Sequence, residues 1–318
     1  MAITPGTDFT EFPIPSADLE DNAADVRAAL GLSNVNNTSD ANKPVSNATQ
    51  AALDARVPIG GPLLLVGSGQ SNIADASISN VEIAHDKVHF WQAGAWKGAG
   101  ETVLGAPLYH MAALLADRTG KDVYCVVTGA GGTSISAWIG SGTASAQYVA
   151  LDDAVTAALA TDELTDAGKA AADAFVWVHG EQDASAPTYA ADVVTLRGQL
   201  DGESWYDQRS APFLLSRVSG FYDTKSSNGY VIFAQQTQLD FIDPWMIVVD
   251  TLGALTTTGD YYANVHFSAD GLADIGRRLA GAYVSAPNRN ARRYVYDPLD
   301  FVNSDLAPNT SLRGRKQS

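Results

Sequence analysis

Cysteine is nearly absent from this sequence. Cys125 is the single cysteine among 318 residues, which excludes an intrachain disulfide and a metal site built from several cysteine thiolates. It lies in the apolar run from Val123 to Val127, and a thiol in such a run is expected to pack in the core. We therefore predict neither a disulfide-stabilised fold nor a cysteine nucleophile.

Basic residues are also scarce. Lysine and arginine number 20 against 36 aspartates and glutamates, which gives a formal net charge of -16 at pH 7. A surface under negative potential repels phosphate backbones and anionic lipid. We therefore expect no nucleic acid partner, and a neutral substrate fits this charge better than an anionic one.

Long apolar segments are missing as well. No stretch approaches the roughly 20 apolar residues that a membrane-spanning helix requires. The start of the chain also lacks a basic stretch followed by an apolar one, which a secretory signal peptide would have. We expect a protein that is not inserted in a membrane and that is made in the cytoplasm without a signal peptide.

Aromatic residues are rare in the first part of the chain. Residues 1–58 are rich in Asn, Asp, Ser, Thr and Ala, so this segment cannot bury a large core by itself. From Pro58 onward, apolar runs continue to about residue 286. We predict a small extended and helical segment at 1–58, a main domain at 59–286 and a C-terminal extension at 287–318.

The main domain alternates apolar strands with helical patterns. Near-continuous Val, Leu and Phe runs separated by helices are typical of a parallel sheet covered on both faces. We therefore predict an α/β fold, specifically a three-layer α/β/α sandwich with a parallel sheet. The predicted strands are 62–66, 122–127, 174–178, 212–216, 230–234 and 246–249, and the predicted helices are 106–119, 148–160, 189–200 and 269–284.

The residues that follow the strands are the candidates for function, because ligands bind beyond the carboxyl ends of parallel strands. The segment from Gly67 to Asn72 reads Gly-Ser-Gly-Gln-Ser-Asn. Its glycines permit a tight turn that would present Ser71 at the start of the next element. It is not the G-x-S-x-G nucleophile elbow, because Ile73 stands in place of the last glycine. Ser71 is a candidate nucleophile, and an ordinary polar turn is the alternative.

Adjacent glycines follow the second strand. Gly131 and Gly132 let the backbone approach a ligand closely, so a free N–H from either residue could stabilise an oxyanion. A plain strand-to-helix turn is the alternative for this pair.

Charged side chains follow the third strand. His179, Glu181 and Asp183 stand at the mouth of a buried strand, where burying charge without a partner is unfavourable. They indicate a polar site, and solvated loop residues are the alternative. His266 precedes the last helix between apolar residues. Alone it would be structural, whereas beside a serine it is a plausible general base.

Taken in this order, the four segments resemble the SGNH hydrolase superfamily, and within it the branch of sialate O-acetylesterases and acetylxylan esterases. The resemblance covers about residues 60 to 285. It implies a flavodoxin-like fold and a carboxylic ester hydrolase that needs no metal and no organic cofactor. It also implies Ser71 as the nucleophile and His266 as its base.

The same resemblance places the oxyanion hole. Gly131 and Gly132 match the family's glycine block, which contributes a backbone N–H. Gln70 and Asn72, which flank the nucleophile, are expected to contribute to the oxyanion and substrate-binding site.

Two positions depart from the family pattern. His179 replaces a glutamine that helps to hold the oxyanion, and a ring N–H can still donate there. Ala263 stands where many members have the aspartate that orients the catalytic histidine. The orienting acid is then expected to be Glu181, followed by Asp183 and Asp260, or else the site works as a Ser-His dyad.

A second resemblance covers residues 30–54. The chain reads LGLSNVNNTSDANKPVS from Leu30 and then TQAALD from Thr49, which is similar to a segment that recurs in bacteriophage tail fibre and tail spike proteins. That resemblance implies that residues 1–58 join other phage tail proteins to an enzymatic part, usually within a homotrimer. A generic polar linker is the alternative.

Together the resemblances imply an esterase in the phage virion that removes O-acetyl groups from a bacterial capsule or O-antigen. One alternative is a glycan-binding receptor module that has lost catalysis, which Ala263 favours. Another is a lipase or thioesterase for longer acyl chains. Exposed aromatic residues could line a sugar groove, with core or rim positions as the alternative for most of them, and the candidates are Trp91, Trp96, Trp138, Trp205 and Tyr222.

Overall fold

The computed structural model describes seven stretches of the chain. These are residues 61–139, 145–184, 186–218, 229–243, 246–251, 253–254 and 265–286. The segment predicted at 1–58 and the extension predicted at 287–318 lie outside the described residues, so their boundaries stay predictions.

Strands form the centre of the described part. They are β1 (Leu63–Gly69), β2 (Val81–Glu82), β3 (Val88–Gln92), β4 (Ala95–Lys97), β5 (Thr102–Val103), β6 (Val123–Gly129), β7 (Ala174–Val178), β8 (Phe213–Ser216) and β9 (Met246–Val249). Seven of them form one sheet in the order β4-β3-β6-β1-β7-β8-β9. All neighbours in this sheet are parallel except β3 and β4, which are antiparallel. Strands β2 and β5 pair separately.

Helices connect the strands. They are α1 (Ser71–Ala74), α2 (Ala76–Ser79), α3 (Ala106–Thr119), α4 (Ser136–Ile139), α5 (Ala146–Leu159), α6 (Asp162–Thr165), α7 (Tyr189–Leu200), α8 (Gly229–Ile242) and α9 (Ala269–Ser285), with a 3-10 turn at Glu181–Asp183. None of the described helices is long and apolar enough to span a membrane.

The sheet is buried on both faces. Successive side chains of β1 point to opposite faces, so Leu63 packs with α3 and α9, whereas Leu64 packs with α5, α7 and α8. The fully buried run of β1 and β7 follows from this double coverage. The fold is therefore the α/β/α sandwich that the sequence predicts.

The core also contains residues whose environment was predicted from the sequence. Cys125 is buried, and burial raises the pKa of its thiol. Trp138 and Trp205 are buried in the core, so these two follow the core alternative and do not line a sugar groove. Trp91 and Trp96 are half-buried, and Tyr222 lies outside the described residues.

Five of the six predicted strands are confirmed, with ends shifted by up to three residues, and the segment 230–234 is the exception. It belongs to α8, which extends from Gly229 to Ile242. The buried positions Ile232, Gln235, Gln236 and Leu239 recur at the three- and four-residue spacing of a helix face. Packing of this face overrides the strand preference of the local Val-Ile-Phe sequence.

The hairpin of β3 and β4 is absent from the predicted strands. Ala93 and Gly94 connect the two strands with φ values of 52° and 77°. Positive φ at both positions is the geometry of a type I′ turn, for which Asn-Gly is the usual sequence signal. Because alanine stands in place of the usual asparagine, the sequence lacks the signal that would predict this turn.

The fold brings three loops to one edge of the sheet. In the parallel register, Gly69 at the end of β1 pairs with Gly129 of β6 and with Val178 of β7. The residues after these strands therefore emerge side by side.

Candidate active site

Ser71 and His266 meet at this edge of the sheet. The Nε2 atom of His266 lies 3.0 Å from the Oγ atom of Ser71, although the two residues are 195 positions apart. Ser71 is the first residue of α1 and is 6% exposed. The distance suits a nucleophile and its general base. The structure thus brings together the two residues that the sequence paired.

A tight backbone turn precedes Ser71. Gly69 has a φ of 140°, and a Cβ atom built on it would lie 2.0 Å from the carbonyl oxygen of Val178. The N–H of Gln70 donates to that carbonyl at 3.0 Å. Glycine is therefore required where β1 turns against β7 and leads into α1.

The segment of His266 is anchored at the start of α9. The Oγ atom of Ser268 accepts from the N–H of Gly271 at 3.1 Å and caps the helix. Phe267 is fully buried in the core that α9 covers. These contacts hold the backbone on the carboxyl side of His266.

The segment after β6 that contains Gly131 and Gly132, called the glycine segment below, lies beside Ser71. A Cβ atom built on Gly131 would lie 3.9 Å from the Cβ of Ser71. The N–H groups of Gly131 and Gly132 donate to no acceptor within the part of the chain that the structure describes. Ser71 begins α1, so its N–H has no acceptor inside the helix. These N–H groups can hold the charge that develops on an ester carbonyl oxygen.

Asn72 is fully buried and contacts the segment of His266. Its Nδ2 atom donates to Oε1 of Glu181 at 2.6 Å and to the carbonyl oxygen of Val265 at 3.0 Å. Its Oδ1 atom accepts from the N–H of Phe267 at 3.1 Å. Both amide hydrogens are used, so the structure corrects the expectation that Asn72 binds the oxyanion or the substrate.

Gln70 is buried as well. Its Oε1 atom accepts from the N–H groups of Gly180 and Gln182 at 3.5 and 3.4 Å. These contacts hold the loop after β7 against the start of α1. The structure therefore gives Gln70 a bracing contact through its oxygen, and its contribution to the oxyanion or substrate site stays a prediction.

His179 makes its contacts inside the protein. Its ring is stacked against that of Trp177 and against that of Tyr189, with centroid distances of 4.8 and 5.9 Å. Its Nε2 atom lies 3.0 Å from the carbonyl oxygen of Thr133. Burial lowers the pKa of His179 to about 3, so the ring is neutral and has one N–H. Because a carbonyl only accepts, that hydrogen is on Nε2 and is donated to Thr133.

The expectation that His179 holds the oxyanion is therefore corrected. Its single N–H supports the loop that contains Gly131 and Gly132, because Thr133 follows these glycines directly. The ring of His179 thus supports the glycine segment from the protein interior.

Glu181 and Asp183 lie buried in the 3-10 turn after β7. Burial raises the pKa of Glu181 to about 7 and that of Asp183 to about 6. Asp183 accepts from the N–H of Ile135 at 2.8 Å and so holds the end of the glycine segment. Glu181, through Asn72, is connected to the segment of His266.

The remaining acid candidate, Asp260, lies outside the described residues, as does Ala263. Within the described ranges, no group of three or more His, Cys, Asp or Glu side chains is arranged to hold a metal ion.

A family comparison covers this whole region. The profile of the family described as "carbohydrate esterase, sialic acid-specific acetylesterase" matches residues 64–285, which is more than half of the chain. The chain belongs to this family. The match includes Ser71, the glycine segment, the turn after β7 and His266.

Solved structures show the same fold for this acetylesterase-family chain. A protein of Arabidopsis thaliana is 19% identical, with a TM-score of 0.54, and the match covers 71% of this chain and 98% of that protein. The protein NanS is 16% identical, with a TM-score of 0.50, and the match covers 71% of this chain and 97% of NanS. No curated protein matches the chain significantly.

Tyr189 and Gln236 also support the site, and neither was predicted from the sequence. The hydroxyl of Tyr189 and Nε2 of Gln236 both donate to the carbonyl oxygen of His179, at 2.9 and 2.8 Å. Oε1 of Gln236 also accepts from the N–H of Val218 at 2.9 Å. Together they fix the end of β7. The adjacent glutamines at 235 and 236, within an apolar stretch, are the sequence signal that indicates such a buried polar contact.

Proposed function

We propose that this chain is a serine esterase that releases acetate from O-acetylated carbohydrate. The observation that carries the proposal is the 3.0 Å distance between His266 Nε2 and Ser71 Oγ, beside the glycine segment. Membership in an acetylesterase family supports acetyl as the acyl group.

The first half of the reaction acylates Ser71. His266 takes the hydroxyl proton while Oγ attacks the ester carbonyl carbon. The N–H groups of Ser71 and of Gly131 or Gly132 hold the resulting oxyanion. When the carbon–oxygen bond to the sugar breaks, His266 gives its proton to the sugar oxygen, and an acetyl-serine remains.

The second half releases acetate. His266 takes a proton from water, whose oxygen attacks the acetyl carbon. The bond to Ser71 Oγ breaks, and the serine recovers its proton from His266. Acetate and the free hydroxyl of the sugar are the products.

The decisive experiment compares the wild type with Ser71→Ala on an aryl acetate and an acetylated glycan. We expect kcat/KM to fall by at least about 1000-fold, because the nucleophile is lost while the binding surface remains. Ser210→Ala, at an exposed serine outside the site, is the matched control. Equal rates for wild type and Ser71→Ala would favour a glycan-binding module, and faster cleavage of butyrate than acetate would favour a lipase or thioesterase.

The biological setting that we propose is a bacteriophage tail fibre or spike, with a bacterial capsule or O-antigen as the substrate. The resemblance of residues 30–54 to tail fibre segments supports it. In this setting residues 1–58 bind other tail proteins, the chain forms a homotrimer, and the protein is made in the host cytoplasm and carried in the virion.

Acetate release from purified acetylated capsules and O-antigens tests the substrate, with Ser71→Ala as the blank. Light scattering on the purified full chain tests the trimer. Absence of acetate release from every bacterial polysaccharide, while an aryl acetate is cleaved, would contradict the proposed substrate and leave the esterase intact.

A further inference from the structure

The side chain of Asn72 joins three parts of the active site. It follows the nucleophile directly in the chain, lies in the first turn of α1 and is 0% exposed. Its carboxamide contacts the backbone on both sides of His266 and the carboxylate of Glu181. The two backbone contacts, at 3.0 and 3.1 Å, have ordinary hydrogen-bond lengths, and the contact with Glu181 is shorter, at 2.6 Å.

The two backbone contacts restrain the segment of the base. The carbonyl of Val265 and the N–H of Phe267 belong to the residues that flank His266. An amide that pairs with both groups acts as a neighbouring strand would and fixes the backbone around His266. Because Asn72 is adjacent to Ser71, this fixed segment moves with the nucleophile.

The partners of Asn72 determine which way its amide faces. An amide group can be turned over, with nitrogen and oxygen exchanged, unless its partners distinguish the two ends. The carbonyl of Val265 can only accept and the N–H of Phe267 can only donate, so these two backbone groups make the distinction. Oε1 of Glu181 accepts from the same nitrogen as Val265 and so reinforces this orientation.

We propose that Asn72 is a positioning residue that acts on catalysis only through His266, with Glu181 reinforcing its orientation. This inference rests on the proposed esterase function. The distance between a base and its nucleophile has a steep effect on rate, and a displacement of about 1 Å lowers the rate by about 100-fold. An oxyanion donor would also affect the rate, but it would do so whether or not the base is present.

A double-mutant cycle separates these two roles. We expect Asn72→Ala to lower kcat for an aryl acetate by about 100-fold while KM changes by less than about threefold. In the background of His266→Ala, the same substitution should change the residual rate by less than about threefold, because residues that act as a unit are not additive. Asn80→Ala, at an exposed asparagine outside the network, is the matched control.

Equal losses from Asn72→Ala in both backgrounds would overturn the proposal. If Asn72→Ala does not fold, the cycle is repeated with Asn72→Ser, which keeps a neutral polar group but is too short to pair with both Val265 and Phe267. Ser71→Ala is measured in parallel. A wild-type rate for Ser71→Ala would show that the esterase proposal itself has failed, whereas an additive cycle with an essential Ser71 would refute only the positioning role.

Discussion

Burial sets the protonation states of the side chains behind Ser71. It lowers the pKa of His179 to about 3, so this ring stays a neutral donor over the whole neutral range. It raises the pKa of Glu181 to about 7 and that of Asp183 to about 6. Both carboxyls therefore titrate near neutral pH, unlike carboxyls in water.

The raised pKa of Glu181 predicts a pH dependence of stability. Its ordinary pKa of 4.5 applies to the unfolded chain, and the folded value is about 7. The folded state binds this proton more strongly, so the contribution is fully present below pH 4.5 and is lost as the pH rises through about 7. Glu181→Gln removes the ionisation but keeps an oxygen that accepts from Asn72.

We therefore expect the free energy of unfolding of Glu181→Gln to decline less than that of the wild type between pH 4.5 and 7. Urea unfolding at a series of pH values measures this difference. Asp183 keeps its own slope of the same sign, so some decline remains in the variant. Parallel curves for the two proteins would contradict a raised pKa at Glu181.

At the scale of elements, the turn from β1 into α1 has the strictest backbone requirement. Gly69 has a positive φ, and a Cβ atom added there would lie 2.0 Å from a carbonyl oxygen, so a side chain would separate β1 from β7. Gly94 also has a positive φ but has open space around it. Substitutions at these two glycines therefore distinguish the cost of a positive φ from the cost of steric overlap.

We predict that Gly94→Ala destabilises the protein by about 1 kcal/mol, the usual strain of an alanine at positive φ. Gly69→Ala should destabilise it by more than about 3 kcal/mol and lower esterase activity, because β1 and β7 must move apart. Thermal unfolding and kcat of the two variants provide the comparison. Similar melting temperatures for the two variants would contradict the prediction, because they would show that β1 and β7 move apart at little cost.

Helix α8 shows how packing decides an element. Its local sequence from residue 230 to 234 has the β-branched and aromatic residues of a strand. The buried face of the helix includes Gln235 and Gln236, which bind Ala190 and His179. Polar residues on that face hide the helical period from the sequence, because the usual signal is apolar.

For the whole molecule, the apolar clusters on the two faces of the sheet and the described site all lie between residues 61 and 286. A unit that holds its own core and its own site is expected to fold alone. We predict that a fragment of residues 59–286 unfolds cooperatively and keeps kcat for an aryl acetate within about threefold of the full chain. Loss of folding or of activity in the fragment would place the domain boundaries elsewhere.

The sequence by itself determined the features that depend on neighbouring residues. The buried runs of β1 and β7, the glycine turn before Ser71 and the amphipathic pattern of α9 are local, so the sandwich and its functional edge could be predicted. The meeting of Ser71 with His266 was predictable only through the family resemblance, since no local pattern relates them.

Only the tertiary structure decided which partner each polar side chain takes. The amide of Asn72 meets Glu181 across 109 positions of the chain, and the ring of His179 meets Thr133 across 46 positions. The residue type determines whether a side chain can donate or accept a hydrogen bond. The distance between two such groups depends on how the strands and helices pack. For that reason Asn72 and His179 were expected at the oxyanion and are found holding the base and the glycine segment.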